Sequence, residues 1–534
     1  MRCPGMDGRT PRLLAGGRGA VTGEAIPPGG RVVAFVDLGT NSVRLLIVRL
    51  DPNGSYAVLT RQKETIRLGE GEFETGLLQP AAMERAVLVC SRFMEVARGF
   101  SADEVVAVAT SASREAQNRD EFLALLRERA GIAMRVISGV EEARLIHLGV
   151  ASGGGVGDEE AVFIDIGGGS TEVSVGTHHS SRHRASLRLG AIRLSALFPP
   201  DGDGRYGPDT HAAMRVHVLE GVRGALGGFG DIGTLSAFGS SGTIENLAAI
   251  AGDKNVLTYN GLCSTIRRLI GMTLAERRVV AGMNPERADI IVGGAVILEV
   301  LMAEIGIPEM RISDRGVREG LLIDYLSGID GFPQGTPLPV RRQGVLQLAR
   351  LCRADEGHSC EVVRLALRLF DTGGEVGLHS LGETERELLE YAALLHDAGT
   401  LISFRGHQNH SCYIIENASL PGLSRREVRI IAQTARFHRK KPPTKKVLEA
   451  AGVAGGDART VRILSSILRI AENLDRSHRG FVRDAVFEKN GNMFRIVVTP
   501  GGECDLEIWG LRDALQDVEK GLGKRIDLVI AETD

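Results

Sequence analysis

Val33-Ala34-Phe35-Val36-Asp37-Leu38-Gly39-Thr40-Asn41-Ser42 is an apolar run that ends in an Asp-x-Gly turn followed by small polar side chains. Ala161-Val162-Phe163-Ile164-Asp165-Ile166-Gly167-Gly168-Gly169-Ser170-Thr171-Glu172 restates it at domain-sized separation. A strand carrying the same chemistry at its end, met twice, predicts two related α/β halves facing each other. Glycines after a strand let backbone N–H groups turn toward an anion and approach it closely. Gly39, Thr40, Asn41 and Ser42 in the first loop are therefore candidate phosphate ligands. Gly167, Gly168, Gly169, Ser170 and Thr171 are their counterparts in the second. An Asp at each strand end suits a divalent cation, bound directly or through water, that offsets phosphate charge. Asp37 and Asp165 take that role, with Glu172 as the partner of Asp165, since it faces away from Val173 and Val175 on its strand. A third loop, Gly239-Ser240-Ser241-Gly242-Thr243, opens a helix whose N-terminus can face an anion; Gly239, Ser241, Gly242 and Thr243 join the phosphate-binding set. Against all three stands the bland reading of a tight strand-exit turn, to which a single loop is open and a matched pair much less so.

Working outward, Val43–Leu50 predicts a second strand, residues 79–100 a helix, Val105–Ala109 a buried strand and Thr110–Arg129 one helix behind it. Strands alternating with helices indicate α/β architecture. The chain divides into a Gly-, Arg- and Pro-rich leader over 1–30 expected to be disordered, a first half over 31–150, a second over 151–326 and a linker over 327–343. Residues 344–480 follow with nearly continuous helical pattern and seven of the thirteen His, and 481–534 read as a small α+β tail.

Ser138-Gly139-Val140-Glu141 fits a capping box, with Ser138 as N-cap and Glu141 reaching back. Glu142 has no such local duty. It is either a solvated carboxylate favoured by the helix dipole or a group able to take a proton from water. Arg114, in the first turn of its predicted helix, opposes the dipole unless an anion lies in front of it, and its fork suits phosphate; solvated Arg is the alternative.

The loop pair, with Ile137-Ser138-Gly139-Val140-Glu141-Glu142-Ala143-Arg144 and Ser313-Asp314-Arg315-Gly316-Val317-Arg318-Glu319-Gly320, resembles the exopolyphosphatase / guanosine pentaphosphate phosphohydrolase (Ppx/GppA) family. The likeness runs from about residue 31 to 326 and continues more loosely to the C-terminus. It implies an actin-like, RNase H-like duplicated fold and hydrolysis of terminal phosphoanhydride bonds, with Glu142 as catalytic base and Arg114 on substrate phosphate. It also implies Mg2+, inorganic polyphosphate or guanosine pentaphosphate as substrate, a cytoplasmic setting and a homodimer.

Residues 344–480 are similar to an HD phosphohydrolase core. His358 starts a helix, His396-Asp397 ends another, and Asp475 follows Leu464, Leu468 and Ala471 on an apolar face. His with carboxylate suits Mn2+, Fe or Zn2+. His358, His396, Asp397 and Asp475 are the expected ligands, with His407, His410 and His438 as further candidates. Many members of the family keep this helical fold with degraded ligands, and this chain departs in keeping an apparently complete set. A relic core with satisfied His and Asp side chains is the competing reading.

Composition excludes several classes. No segment of the 534 residues approaches a membrane span, seven scattered Cys without a CxxC pair argue against a disulfide framework, and a net charge of −3 gives no general attraction to nucleic acid or membrane. Gly, at 68 residues, is in excess without collagen's period. Lys numbers only nine, so the Lys+Arg total of 64 is nearly all Arg, a mark either of codon bias or of anion recognition. Beside the hydrolase, two other readings remain open: an actin-like kinase or ATPase, and a sensor that binds polyphosphate or an alarmone without turnover.

Overall fold

A computed structural model describes residues 12–13, 26–27, 29–53, 55–153, 159–177, 180–230, 232–233, 235–329, 340–418, 420, 423–439, 441–491 and 493–531. They form two compact units, Met1–Pro337 and Leu338–Asp534. The N-terminal unit holds two sheets of one design. In the first, β2 (Arg31–Leu38), β3 (Ser42–Leu50) and β4 (Tyr56–Thr65) make an antiparallel meander, and β5 (Glu104–Ala109) and β6 (Arg135–Val136) continue in parallel from the other edge of β2. In the second, β7 (Ala161–Ile166), β8 (Thr171–Gly176) and β9 (Ser181–Leu187) form the meander; β10 (Ser236–Ser240) and β12 (Glu309–Ile312) extend it in parallel, and β11 (Val256–Thr258) adds an antiparallel edge. The repeat seen in the strand–DxG elements is thus a repeat of topology. β2 is buried on both faces from Val33 to Leu38, as a central strand must be, which is why it reads as unbroken apolar sequence.

Several expectations need correction. The helix expected over 110–129 breaks after Ser111–Glu115. Ala116 is extended, Gln117 donates its backbone N–H to Gly76 O at 3.0 Å, and the Asn118 amide clasps both backbone groups of Leu78, so tertiary partners take the bonds that a continuous helix would use. Helix resumes at Arg119–Leu125 and ends in a π turn over Leu126–Ala130. The capping box forms only by half: Ser138 Oγ accepts from Glu141 N at 3.2 Å, but the Glu141 carboxylate is held by Arg144, which also reaches Asp324.

The division of the halves at 326 also shifts in space. The helix Val317–Ser327 packs on the first sheet and on the helix Gly139–Ala151, so the end of the second half covers the first. Here two glycines are required. A Cβ on Gly320 would stand 1.9 Å from Leu145 O, and one on Gly149 2.1 Å from Gly316 O. Val33, Phe35, Leu145, Phe163, Phe238, Leu321 and Tyr325 share one apolar cluster that joins the two sheets.

Most of the expected leader lies outside the described residues, but Arg12–Leu13 (β1) pairs in parallel with Glu104 and Val105. Part of the 152–157 Gly-rich segment and most of the 327–343 linker lie outside them too, and helix already begins at Val340.

The C-terminal unit packs the helices Glu356–Glu375, Glu383–Leu395, Arg425–Arg436 and Gly456–Leu474 around one core. The strands β13 (Val482–Asn490), β14 (Met493–Pro500) and β15 (Ile526–Ile530) and the helix Asp505–Leu522 contribute Phe487, Ile496, Leu511 and Val518 to that same core. The expected separate tail is therefore an integral layer, because its apolar face has no other surface to bury against.

Candidate functional site

In the N-terminal unit the strand ends bring four carboxylates together. Asp37 closes β2 and Asp165 closes β7; Glu172 lies directly opposite Asp165 in the β7–β8 register, and Glu142 sits in the first turn of Gly139–Ala151. Burial raises the pKa of all four. Asp37 reaches about 6 against the pull of Arg44 and Arg318, and Glu142 about 7 against the pull of Arg114. Glu172 is raised well above the carboxylate range by burial and by the charges of Glu142 and Asp165. Asp165 is raised by burial although Ser240 Oγ donates to it at 2.5 Å. Four buried, mutually repelling oxygen donors suit a hard divalent cation. Among the described residues Asp37, Asp165 and Glu172 do not bring three ligand atoms within 4.8 Å of one another.

Arg114 Nη1 donates to Glu142 Oε2 at 2.9 Å and to Ile137 O at 3.1 Å. The guanidinium is thus fixed beside the carboxylate, and Glu142, 7% exposed, is not the solvated carboxylate that a helix start would otherwise favour. The two glycine loops face each other. A Cβ on Gly169 would stand 2.5 Å from Ser111 Oγ and 3.0 Å from Thr40 Oγ1, and one on Gly168 would stand 3.1 Å from Thr40 Cβ. Thr40, Ser42, Ser170 and Thr171 are buried, with Thr171 Oγ1 donating to Leu189 O at 2.6 Å. Asn41 Oδ1 is buried without a hydrogen-bond partner.

The third loop is arranged differently from its expected role. Ser241 has φ +84°, a left-handed conformation, and its hydroxyl donates to Ile166 O at 2.8 Å. Beside the helix start lies Arg287, 2.4 Å from where a Gly242 Cβ would be and 3.5 Å from Thr243 Oγ1. The loop therefore joins the site through Ser240 on Asp165 and through Arg287.

Several groups went unassigned in the sequence. Arg44 stands opposite Asp37 in the β2–β3 register, and Lys63 stands opposite Arg44 in the next. Arg318 pairs with Glu319 at 2.7 Å and faces Asp37. The period-two register could have found Arg44, since hairpin partners share a face; Arg287 has no local signal. Arg193 and Arg188, which flank Gly190, both turn to Glu115, Arg193 at 2.9 Å and the exposed Arg188 at 3.5 Å.

In the C-terminal unit His358, His396 and Asp397 are brought together, but Asp475 is not on their inner side. It caps the end of Gly456–Leu474 and accepts from His358 Nδ1 at 2.8 Å. Glu472, one turn earlier, takes the expected inward place, 3.0 Å from the Nε2 of both His358 and His396. Asp397 meets His407 Nε2 at 3.1 Å, and His407 and His438 face each other at 3.3 Å between Nε2 atoms. His410 is in neither group. Arg436, His438, Arg439, Lys440, Lys441, Lys445 and Lys446 fall close together in the chain, and of these His438 is fully buried; Lys440 lies outside the described residues.

Two opposed strand–DxG loops on duplicated sheets, with a buried acid between them, define a phosphoryl-handling protein of the actin-like class. The family model of the Ppx/GppA phosphatases matches residues 46–328, and that of Ppx/GppA phosphatase domain III matches 340–496. The chain belongs to the Ppx/GppA phosphatase family. It is similar to the solved structure of an exopolyphosphatase from Cytophaga hutchinsonii at 25% identity and TM-score 0.51, over 56% of this chain and 99% of that one. It is also similar to the structure of an exopolyphosphatase-like protein at 28% identity and TM-score 0.51, over 55% and 98%. No helix among the described residues is long and apolar enough to cross a membrane, and the six described cysteines are unpaired.

Proposed function

We propose that the N-terminal unit hydrolyses terminal phosphoanhydride bonds of inorganic polyphosphate and releases orthophosphate, in the cytoplasm and with Mg2+. The observation that carries this reading is Glu142, buried within the field of Asp37 and Asp165, the acids that precede the two glycine loops, and ion-paired to Arg114 at 2.9 Å. A carboxylate whose pKa stands near 7 is matched to taking a proton at neutral pH. The backbone amides of Gly168 and Gly169 cradle the terminal phosphoryl group, with Thr40, Ser42 and Ser170 beside them, whereas those of Gly39 and Gly167 close their own loops on Ser42 O at 3.0 Å and Ser170 O at 2.9 Å. Glu142 takes the proton of the attacking water while orienting it along the P–O axis, and Arg114 holds the charge that develops on the phosphoryl oxygens. Mg2+ at Asp37, Asp165 and Glu172 supplies charge neutralisation for the chain's oxygens. Arg44, Lys63, Arg287 and Arg318 give positive charge around Asp37 and Asp165, as a polyanion requires of a near-neutral protein.

Phosphate release from long polyphosphate, guanosine pentaphosphate and ATP, each with and without Mg2+, tests the reading. Metal-dependent release from polyphosphate supports it. Release from guanosine pentaphosphate in its place would shift the substrate, release from ATP alone would favour the kinase-like class, and binding without release the sensor.

A further inference from the structure

Four histidines in the C-terminal unit are fixed in one tautomer by what lies behind them. His396 Nδ1 faces Ala393 O at 2.7 Å, His407 Nδ1 faces Phe404 O at 3.0 Å, and His438 Nδ1 faces Ala435 O at 2.5 Å. A carbonyl oxygen only accepts, so each Nδ1 must carry its hydrogen and donate. His358 Nδ1 likewise donates to the Asp475 carboxylate at 2.8 Å. In the neutral imidazoles all four Nε2 atoms then carry a lone pair and face the cluster.

They meet no donor there. His358 and His396 Nε2 both stand 3.0 Å from Glu472 Oε2. His407 Nε2 stands 3.1 Å from Asp397 Oδ1 and 3.3 Å from His438 Nε2. Facing acceptors at these distances repel unless a proton or a metal cation lies between them, and a single cation serves three such groups at once. Ligands about 2.1 Å from a common ion and 90 to 109° apart lie about 3.0 to 3.4 Å from one another, and these contacts have that spacing. The groups fall into two sets, His358–His396–Glu472 and Asp397–His407–His438, each within 4.8 Å. The sets adjoin, with His396 Nε2 3.8 Å from Asp397 Oδ1. The turn that carries His396 and Asp397 is itself clamped: Ser411 Oγ donates to His396 O at 2.6 Å and accepts from Gly399 N at 2.8 Å.

We infer that the C-terminal unit holds a two-metal centre, each ion bound by two imidazoles and one carboxylate, that hydrolyses a phosphate ester. Two His and one carboxylate with open positions suit Fe2+, Mn2+ or Zn2+. Two divalent ions against two carboxylates leave a net positive centre, which favours a phosphoryl oxyanion. A cavity of about 290 Å³ reaches His438 of one set and Glu472 of the other, and Arg439, Arg469 and Arg476 line it. In the reaction a water bound at the open positions gives its proton to solvent. Its oxygen attacks phosphorus, the ester P–O bond breaks with its electron pair on the leaving oxygen, and that oxygen takes a proton from solvent. Asp475 is a positioning residue, holding the His358 ring from behind. The centre is independent of the reading at Glu142.

The test uses the full chain carrying Glu142→Gln, which silences the N-terminal site, loaded with Mn2+ or Zn2+ and desalted into excess Mg2+, which keeps Asp37, Asp165 and Glu172 occupied by an ion that is not counted. Metal analysis is expected to find two equivalents. Glu472→Gln and His407→Ala are each expected to lose at least one, and Asp475→Asn to weaken affinity by about 10- to 100-fold. Hydrolysis of p-nitrophenyl phosphate is expected in the loaded protein and not in Glu472→Gln. One equivalent overturns the two-metal assignment, none overturns the site, and two equivalents without ester hydrolysis overturn the activity. Far-UV circular dichroism of His407→Ala is expected to match the unmodified chain and reports that the variant is folded.

Discussion

Replacing Glu142 by Gln separates catalysis from stability in a way few substitutions do. Glutamine keeps the shape of the side chain and can still accept from Arg114, so the pair at 2.9 Å keeps a hydrogen bond and loses its charge. It removes the group that takes the proton, and positioned general bases contribute about 10²- to 10⁴-fold to rate. Phosphate release from polyphosphate at saturating Mg2+ is expected to fall by that factor. Stability moves the other way. Glu142 titrates near 7 in the folded chain against an ordinary 4.5, because burial and the charges of Asp37 and Asp165 outweigh Arg114. A raised folded pKa means that stability present below about pH 4.5 is lost as pH climbs to about 7. At 1.36 kcal/mol per unit, the ionised group costs roughly 3 kcal/mol at pH 8 without metal. The Gln variant, measured by thermal unfolding in EDTA, is expected to be more stable than the wild type at pH 8 by about that amount, with most of the gain gone at pH 5. A variant that lost activity and stability together at pH 8, or that kept near-normal activity, would refute the reasoning.

Other outcomes follow from the same geometry. Arg114→Ala is expected to lower kcat and to move the acid limb of the pH–rate profile upward, since the cation that holds Glu142 down is gone. Glu72 is buried, with one carboxylate oxygen lacking a partner and its pKa raised by burial to about 7, so Glu72→Gln is expected to raise the melting temperature at pH 8 and leave it near the wild-type value at pH 4. Gly320→Ala forces a methyl to within 1.9 Å of Leu145 O and is expected to cost about 1–3 kcal/mol or more, read by urea unfolding of the N-terminal unit, whereas Gly99→Ala, where a Cβ meets nothing, is the tolerated control. Ser411→Ala strips two buried backbone groups of their partner and is expected to cost about 1–3 kcal/mol in the C-terminal unit.

The sequence could be read furthest where chemistry and backbone demand coincide. Asp37 and Asp165 stand at strand ends followed by glycine, so their position in the fold and their role in a site come from one local pattern. His358 and His396 were visible because they sit on apolar helical faces. Glu472 and Asp475 both follow the apolar face of Gly456–Leu474, and only the place where the helix ends decides which one points inward. Arg287 and Arg318 reach Asp37 and Asp165 from sequence-distant elements, and no periodicity announces such a meeting. The break at Ala116–Asn118 was hidden for a related reason, since Asn118 answers to Leu78 rather than to its own helix.

The sequence by itself determined the duplicated strand–DxG design, the glycine loops, the family likeness and the presence of a helical His-rich unit. Each of these rests on residues close together in the chain, where covalent spacing limits what the backbone can do. Only tertiary structure decided that Glu142 is buried and tied to Arg114, that Val317–Ser327 returns to cover the first sheet, and that four imidazoles converge on Glu472 and Asp397. Those facts depend on burial and on the meeting of distant side chains. Both are properties of the packed chain, in which desolvation sets which groups hold charge and which must find a partner.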